Sequence, residues 1–134
     1  MIDCISIGDS IAVGVGQAMH CQIKAHVGWP SSKIIYLADG SSHQICILSA
    51  GSNDPYNPNL SNNLKTIRNK VHCRYVVWML PVNKTARAVV DRAALVNHDY
   101  RLTFKPGRDN IHPQNYNVIG KQIEIIFNNP PKIP

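Results

Sequence analysis

Four polar residues near the ends of apolar segments have the chemistry needed for acyl transfer: Ser10, Asn53, Asp109 and His112. A serine hydroxyl becomes a nucleophile when an imidazole accepts its proton. The spacing of three between Asp109 and His112 lets the carboxylate reach one ring nitrogen while the other nitrogen faces Ser10. The Asn53 amide can donate to a developing oxyanion, a contact worth about 3 kcal/mol of transition-state stabilisation. These four residues predict nucleophilic catalysis at an acyl group.

Ser10 lies at the junction between an apolar strand, predicted for residues 2–7, and a helix of small apolar residues, predicted for 11–21. In an open α/β sheet, ligands bind at the carboxyl ends of the strands. The free N–H groups at the start of a helix also favour developing negative charge. Ser10 is therefore placed where a nucleophile would be expected.

The rest of the chain alternates between strand and helix patterns. The predicted strands are 22–27, 44–48, 75–80 and 100–104, and the predicted helices are 33–38 (capped by Ser31 or Ser32), 59–71, 85–97 and a closing helix that opens at Pro113. Five alternating strands indicate an α/β class with a mainly parallel sheet. Right-handed crossovers then bring the carboxyl ends of the strands, with loops 8–10, 51–54 and 109–112, to one edge.

Each candidate residue also has a simpler interpretation. Ser10 can be an ordinary helix cap, which is the commoner role of a serine before a helix. Asp54 before Pro55 can be only a turn residue, and His112 before Pro113 only a cap. Taken singly, each simpler interpretation is favoured. Their joint occurrence at the ends of successive core elements favours a site.

Nucleotide binding is an alternative, because a strand, glycines and a helix also begin a dinucleotide fold. Gly8 is followed by Gly14 and Gly16, but Met19 stands at the position where the dinucleotide-binding motif has its third glycine. The second strand ends at Val27-Gly28 rather than at an acid for a ribose, and no Gly-Lys-Ser/Thr phosphate loop occurs. The sequence therefore disfavours a nucleotide site.

Three segments resemble the sequence blocks of the SGNH (GDSL-type) hydrolases. Gly8-Asp9-Ser10 resembles block I, Gly51-Ser52-Asn53-Asp54 resembles block III, and Asp109-Asn110-Ile111-His112-Pro113 resembles block V. Their order and placement match as well, over about residues 3–127. The resemblance implies a flavodoxin-like, three-layer α/β/α sandwich with a five-stranded, mainly parallel sheet. It also implies hydrolysis of the esterase or lipase type, without a metal or other cofactor.

The resemblance further implies roles for individual residues. Ser10 would be the nucleophile, His112 the base, and Asp109 the acid that orients the base. The oxyanion hole would combine the Ser10 N–H, the Asn53 side chain and the backbone N–H of a block II glycine.

Gly28 falls where the block II glycine is expected, although its flanking residues depart from the usual pattern. Gly40 is a second candidate for the same role.

The length and composition of the chain limit how many domains and membrane-spanning segments it can contain. Its 134 residues predict one domain over 1–128, followed by a flexible Pro-rich tail over 129–134. No apolar run approaches the roughly 18 residues of a transmembrane helix. The first residues lack the basic lead and apolar core of a secretory signal, so we expect synthesis in the cytoplasm. Later action on a cell wall or outside the cell stays open.

Four cysteines are widely spaced: Cys4, Cys21, Cys46 and Cys73. We expect them to be free, buried thiols in a reducing compartment. The pairs His20-Cys21 and His72-Cys73 match no zinc pattern, so no metal site is predicted.

The net charge of +6 favours an acidic partner such as nucleic acid, an anionic membrane or an acidic polymer. The basic residues are dispersed rather than clustered, which favours a solvated surface and argues against specific nucleic-acid binding. We expect a monomer.

The short chain leaves little sequence for a lid, and an open cleft suits small acyl groups on bulky carriers. O-acetyl esters of carbohydrate, including cell-wall or capsular polymers, are therefore the first substrate hypothesis. Hydrolysis of lysophospholipids or thioesters is the alternative among enzymes. A binding module that keeps the SGNH fold without its chemistry is the alternative outside them.

Overall fold

The computed structural model describes residues 3–38, 40 and 42–128. Within them, strands and helices alternate in the order β1 (Cys4–Gly8), α1 (Ser10–Met19), β2 (Gln22–Ala25), α2 (Ser31–Ile34), β3 (Ser42–Ser49), α3 (Leu60–Lys70), β4 (His72–Met79), α4 (Lys84–Val96), β5 (Tyr100–Leu102) and α5 (Tyr116–Asn128). The predicted tail, 129–134, lies outside the described residues. No helix in the described part combines the length and apolar character needed to cross a bilayer.

The strands form one parallel sheet in the order β2-β1-β3-β4-β5. Helices α1 and α5 cover one face, where Ile11 and Ile119 pack against Ile47. Helices α2, α3 and α4 cover the other face, where Leu64 packs in a cluster with Leu48. The predicted three-layer α/β/α fold with five strands is confirmed.

The central strand β3 shows why a continuous run of apolar residues in the sequence predicts a strand. Ile45 and Ile47 point to the layer of α1 and α5, whereas Cys46 and Leu48 point to the opposite layer. Side chains alternate between the faces of a strand, so a strand covered on both faces has a continuous apolar run. The outer strands are shorter than predicted: β2 ends at Ala25 and β5 at Leu102.

Two predicted helix starts are wrong. Helix α2 begins at Ser31, directly after Pro30, so neither Ser31 nor Ser32 is its cap. Ser31 instead donates to a carboxylate in another loop. Helix α5 begins at Tyr116 rather than Pro113, because Pro113 pairs with Pro106 in an antiparallel bridge that holds it outside the helix.

The prediction of free thiols is wrong as well. Cys4 is bonded to Cys21 across β1 and the start of β2, and Cys46 is bonded to Cys73 across β3 and β4. The Cα–Cα separations of 4.9 and 5.8 Å lie within the range that disulfides require. The argument for a reducing compartment therefore falls, because disulfides persist in oxidising ones. The Cys21 and Cys73 sulfurs are also unavailable as metal thiolates.

Candidate active site

Ser10 is held at a sharp transition from strand to helix. Gly8 ends β1 with a φ of +147°, and a Cβ at this position would lie 1.9 Å from the Ser49 carbonyl oxygen. Only glycine fits such a close backbone approach. Asp9 then caps α1, with its Oδ1 accepting from the Ile11 N–H at 3.1 Å. Ser10 is consequently the first residue of α1, at the carboxyl edge of the sheet.

Asp9 is a carboxyl group buried directly beside the candidate nucleophile. Only 1% of the residue is exposed, and the Ser49 hydroxyl donates to its Oδ1 at 2.8 Å. Its Oδ2 has no hydrogen-bond partner in the described part of the chain. Burial raises the pKa of Asp9 to about 6, against the lowering effect of the hydrogen bonds from Ser49 and Ile11.

The loop between β5 and α5 is folded into a hairpin that presents Asp109 and His112. The Pro106–Pro113 bridge closes its base, and the Gly107 N–H donates to the His112 carbonyl at 2.8 Å. Asn110 at the tip adopts a φ of 58°, a left-handed conformation that asparagine tolerates better than most residues. This hairpin brings both side chains back to the carboxyl edge.

The structure brings Ser10, His112 and Asp109 into one hydrogen-bonded chain. Ser10 Oγ lies 2.7 Å from His112 Nε2, and His112 Nδ1 lies 2.5 Å from Asp109 Oδ2. Asp109 Oδ1 accepts from the backbone N–H groups of Ile111 and His112, both at 2.9 Å. The side-chain bond to His112 and then these backbone bonds lower the pKa of Asp109 to about 2. The arrangement has the geometry for moving a proton from Ser10 to His112.

The candidate oxyanion donors come from two loops that touch each other. Asn53 Nδ2 donates to the Trp29 carbonyl at 3.1 Å. Gly28 precedes Trp29, has a φ of +81° and is exposed, with no heavy atom within 4 Å of where a Cβ would be. The His26 N–H donates to the Gly8 carbonyl at 3.0 Å, which ties this loop to the end of β1. Gly28 and Asn53 therefore lie at the same edge of the sheet as Ser10.

Gly40 lies elsewhere. It precedes β3, and the atom nearest to where its Cβ would be is Cδ2 of His72, the first residue of β4. Both positions are at the amino ends of their strands, the edge opposite Ser10. The structure thus does not bring Gly40 to the other candidate residues.

A hydrogen-bond network, which we call the Ser31–Asp54 clamp, joins the two oxyanion loops. Ser31 donates to Asp54 from its hydroxyl at 2.5 Å and from its backbone N–H at 3.0 Å. Asn57 donates to Asp54 Oδ2, and Asn63 donates to the Ser31 hydroxyl, each at 3.0 Å. Sequence reasoning gave Asp54 no side-chain role beyond that of a turn residue. Ser31 and Asp54 are 23 residues apart, so no local sequence pattern predicts that they are hydrogen-bonded.

Tyr116 is a second residue that the sequence did not single out. Its ring lies against Gly14 of α1, where a Cβ would come within 2.3 Å of the ring. Burial and then the negative charges of Asp9 and Asp109 raise its pKa. The absence of a side chain at Gly14 makes room for the Tyr116 ring. The two residues become neighbours only when α1 and α5 pack together, so the sequence did not predict this contact.

Two open cavities flank the Asp109–His112 turn. A cavity of about 540 Å³ lies between this turn and the loops at Pro55 and Val82. Another, of about 720 Å³, is formed by residues 106–109 and 112–114. Asp109 lines both cavities, whereas His112 lines the one of about 720 Å³. A third cavity, of about 330 Å³, lies between the end of β5 and α5 and includes neither Asp109 nor His112.

A five-stranded parallel sheet between two layers of helices, in the order β2-β1-β3-β4-β5, gives this chain the SGNH, or GDSL-type, hydrolase fold. Solved structures agree. A GDSL-like lipase from Bacteroides thetaiotaomicron VPI-5482 superimposes with a TM-score of 0.61 at 14% identity, covering 94% of this chain and 86% of the lipase. A proposed lipolytic protein of the G-D-S-L family from Desulfitobacterium hafniense DCB-2 gives 0.59 at 13%, covering 94% and 99%. No protein-family model matches the chain, and no curated protein matches it.

Proposed function

We propose that this protein is a metal-independent serine esterase that removes short acyl groups, foremost O-acetyl groups, from carbohydrate or cell-wall polymers. The observation that carries the proposal is the hydrogen-bonded chain from Asp109 through His112 to Ser10. Every proton transfer of ester hydrolysis can be assigned to Ser10 and His112, with Asp109 orienting the imidazole.

In the proposed reaction, Ser10 Oγ attacks the ester carbonyl while its proton passes to His112 Nε2. The tetrahedral intermediate collapses to an acyl-enzyme, and His112 gives the proton to the departing alcohol. Water then attacks the acyl carbon, His112 takes one of its protons, and Ser10 recovers its own as the acid leaves. Asp109 stays ionised throughout and holds the imidazole in the required tautomer.

The proposed oxyanion hole consists of the N–H groups of Ser10 and Gly28 and the side-chain amide of Asn53. An amide NH₂ has two donors. One Asn53 donor bonds to Trp29, which fixes the side chain, so the other is left for the oxyanion. The Ser10 and Gly28 N–H groups donate to no acceptor among the described residues.

The substrate class is proposed from the shape of the site. The cavities beside His112 are lined mainly by exposed and half-buried loop residues rather than by the buried residues of a deep apolar channel. Such a site suits a short acyl group on a large carrier. Two disulfides, which persist in oxidising surroundings, support action outside the cytoplasm, as a wall polymer would require.

Two alternatives have definite tests. Lysophospholipid or thioester hydrolysis draws support from the neighbour described as a GDSL-like lipase. An inactive binding module of the same fold would retain the geometry but not turn over esters. A panel of aryl acetate, aryl laurate, acetylated xylan, lysophosphatidylcholine and an acyl thioester would rank the substrate classes.

The deciding experiment is labelling with a fluorophosphonate, together with aryl acetate turnover in EDTA. The wild-type protein should be labelled, and Ser10→Ala should not be. Ser10→Ala should also lower kcat by up to about a million-fold, with a melting temperature close to wild type. Labelling that persists in Ser10→Ala would place the nucleophile elsewhere. A wild-type protein that neither reacts nor turns over any ester would favour the binding module.

A further inference from the structure

Two cations stand on opposite sides of the Asp109–His112 turn. Lys84, the first residue of α4, lines the cavity of about 540 Å³, and Arg108 lines the cavity of about 720 Å³. Both residues are exposed. Each cation therefore lines a cavity that is also lined by Asp109, one residue of the proposed triad.

The cations that line these two cavities outnumber the acids. Neither Lys84 nor Arg108 takes part in an ion pair or a side-chain hydrogen bond within the described part of the chain. Asp109 is the acid that lines both cavities, and it keeps its negative charge while it is hydrogen-bonded to His112. The two linings together therefore have a small excess of positive charge, which favours anions.

The cavities also offer hydrogen-bonding groups suited to a sugar chain. Ser52 and Asn110 line the one that contains Lys84, and Gln114 lines the one that contains Arg108. Hydroxyl and amide groups of this kind pair with sugar hydroxyls, whereas a lipid chain would need an apolar groove.

We propose that the esterase substrate is an acidic polysaccharide whose carboxylates are bound by Lys84 on one side of the scissile ester and by Arg108 on the other. This inference rests on the proposed esterase function and narrows its substrate class. Carboxylates held in the two cavities would place the intervening sugar over the Asp109–His112 turn, where His112 is hydrogen-bonded to Ser10. Lys84 would act as a point charge and Arg108 as a bidentate partner.

The test compares chemically O-acetylated hyaluronan with the same polymer after its carboxyl groups are converted to amides. Acetate release should have a kcat/KM at least about ten times higher on the carboxylate form at 0.01 M salt. The preference should shrink towards 0.1 M, where the screening length falls from about 30 to about 10 Å. In the variant Lys84→Gln/Arg108→Gln, most of this preference should be lost.

The matched control is Lys65→Gln/Arg92→Gln. These residues are also an exposed lysine and arginine lining one cavity, but it lies between α3 and α4, away from the triad. The control should keep both the preference and the wild-type rate on aryl acetate. Equal rates on the two polymers, or equal losses in both double variants, would overturn the inference while leaving the esterase function intact.

A binding measurement separates failure of this inference from failure of the esterase proposal. Ser10→Ala should bind unacetylated hyaluronan, and the Lys84/Arg108 substitutions should weaken that binding about tenfold or more. This result would support the anion-binding site even if no ester were hydrolysed. Binding to phosphatidylglycerol vesicles without binding to hyaluronan would overturn the inference and indicate a lipid surface instead.

Discussion

The carboxylate of Asp109 is bonded by two backbone N–H groups on one oxygen and by the His112 ring on the other. With a pKa of about 2, it remains ionised at any pH at which the protein would ordinarily be assayed. Any loss of activity between pH 7 and pH 4 must then come from another group. Asp9, with a pKa of about 6 and a position beside Ser10, is one group that changes its charge in this range.

Replacement of Asp109 by asparagine removes the negative charge but keeps the shape of the side chain. Asp109→Asn retains the size of the side chain but can hold the imidazole in the wrong tautomer, so kcat on aryl acetate should fall by up to about ten-thousand-fold. An Asp109→Asn variant with near wild-type activity would contradict the assignment of Asp109 as the residue that orients His112.

The pKa of Asp9 is raised, whereas that of Asp109 is lowered. The contribution of Asp9 to the free energy of unfolding therefore changes with pH in the opposite direction. Its folded pKa of about 6 lies above the ordinary value of 3.8, so between these values the folded state binds more protons than the unfolded state. The contribution of Asp9 to the free energy of unfolding is therefore most favourable below about pH 4. It declines as the pH rises through 6, by an amount on the order of 3 kcal/mol.

Asp9→Asn should remove this pH dependence, because an amide has no ionisation cost. Denaturant unfolding of both proteins from pH 4 to 8 should show the variant gaining stability relative to wild type as the pH rises. Other carboxyl groups titrate in both proteins and cancel in the difference. A difference in unfolding free energy that is the same at pH 4 and pH 8 would show that Asp9 is not carrying a buried charge.

At the scale of elements, the Ser31–Asp54 clamp determines how two loops meet. One loop carries Gly28 and the other carries Asn53, and the clamp joins the first residue of α2 to the residue after Asn53. Ser31 is fully buried, so loss of its hydroxyl cannot be made good by bulk water. We expect Ser31 to act as a positioning residue for the oxyanion donors.

Ser31→Ala should lower kcat roughly tenfold with little change in KM, a part of the hundred- to thousand-fold that a complete oxyanion donor is worth. Ser31→Thr, which retains the hydroxyl, should restore part of that loss. Ser32→Ala is the matched control, since Ser32 is the exposed neighbour on the same helix. A purely structural role would appear as a lower melting temperature with unchanged kcat at about 20 °C, and would contradict the positioning role.

The elements also show which structural features are visible in the sequence. The strand and helix alternation was predictable because strands covered on both faces leave continuous apolar runs. The start of α5 was not, because Pro113 satisfies the local rule for a first helical position but is drawn into a bridge with Pro106. Ser31 likewise satisfies the local rule for a cap, but its hydroxyl bonds to Asp54. Local rules fail where a distant partner competes for the same group.

The same limit applies to the candidate site. The types and spacing of Asp109 and His112 predicted their contact, because both lie in one turn. Parallel topology predicted that their loop and the Ser10 loop lie at one edge, but the contact itself depends on the Pro106–Pro113 bridge that folds the loop back. No sequence pattern predicted the place of Tyr116, because its position depends on how closely α5 packs against Gly14. The disulfides were also missed, because pairing Cys46 with Cys73 requires knowing that their strands are neighbours.

For the whole molecule, the two disulfides connect the central strands to each other and to the edge of the sheet. They close loops with sequence separations of 17 and 27 residues. In the chain-entropy account, loops of this length contribute about 3 kcal/mol each to the free energy of unfolding. That is a large share of the roughly 5–15 kcal/mol by which domains are stable.

Reduction should therefore destabilise the protein without changing the chemistry of its site. At about 4 °C per kcal/mol for a chain of this size, loss of either bond should lower the melting temperature by about 12 °C. Cys4→Ala/Cys21→Ala and Cys46→Ala/Cys73→Ala should each show such a loss, and the variant lacking all four cysteines should not respond to reductant. Because Cys4 and Cys73 lie towards the amino ends of their strands, kcat on aryl acetate at about 20 °C should stay close to wild type. A wild-type melting temperature that reductant does not change would mean that the bonds do not form, and would remove the support they give to action in an oxidising compartment.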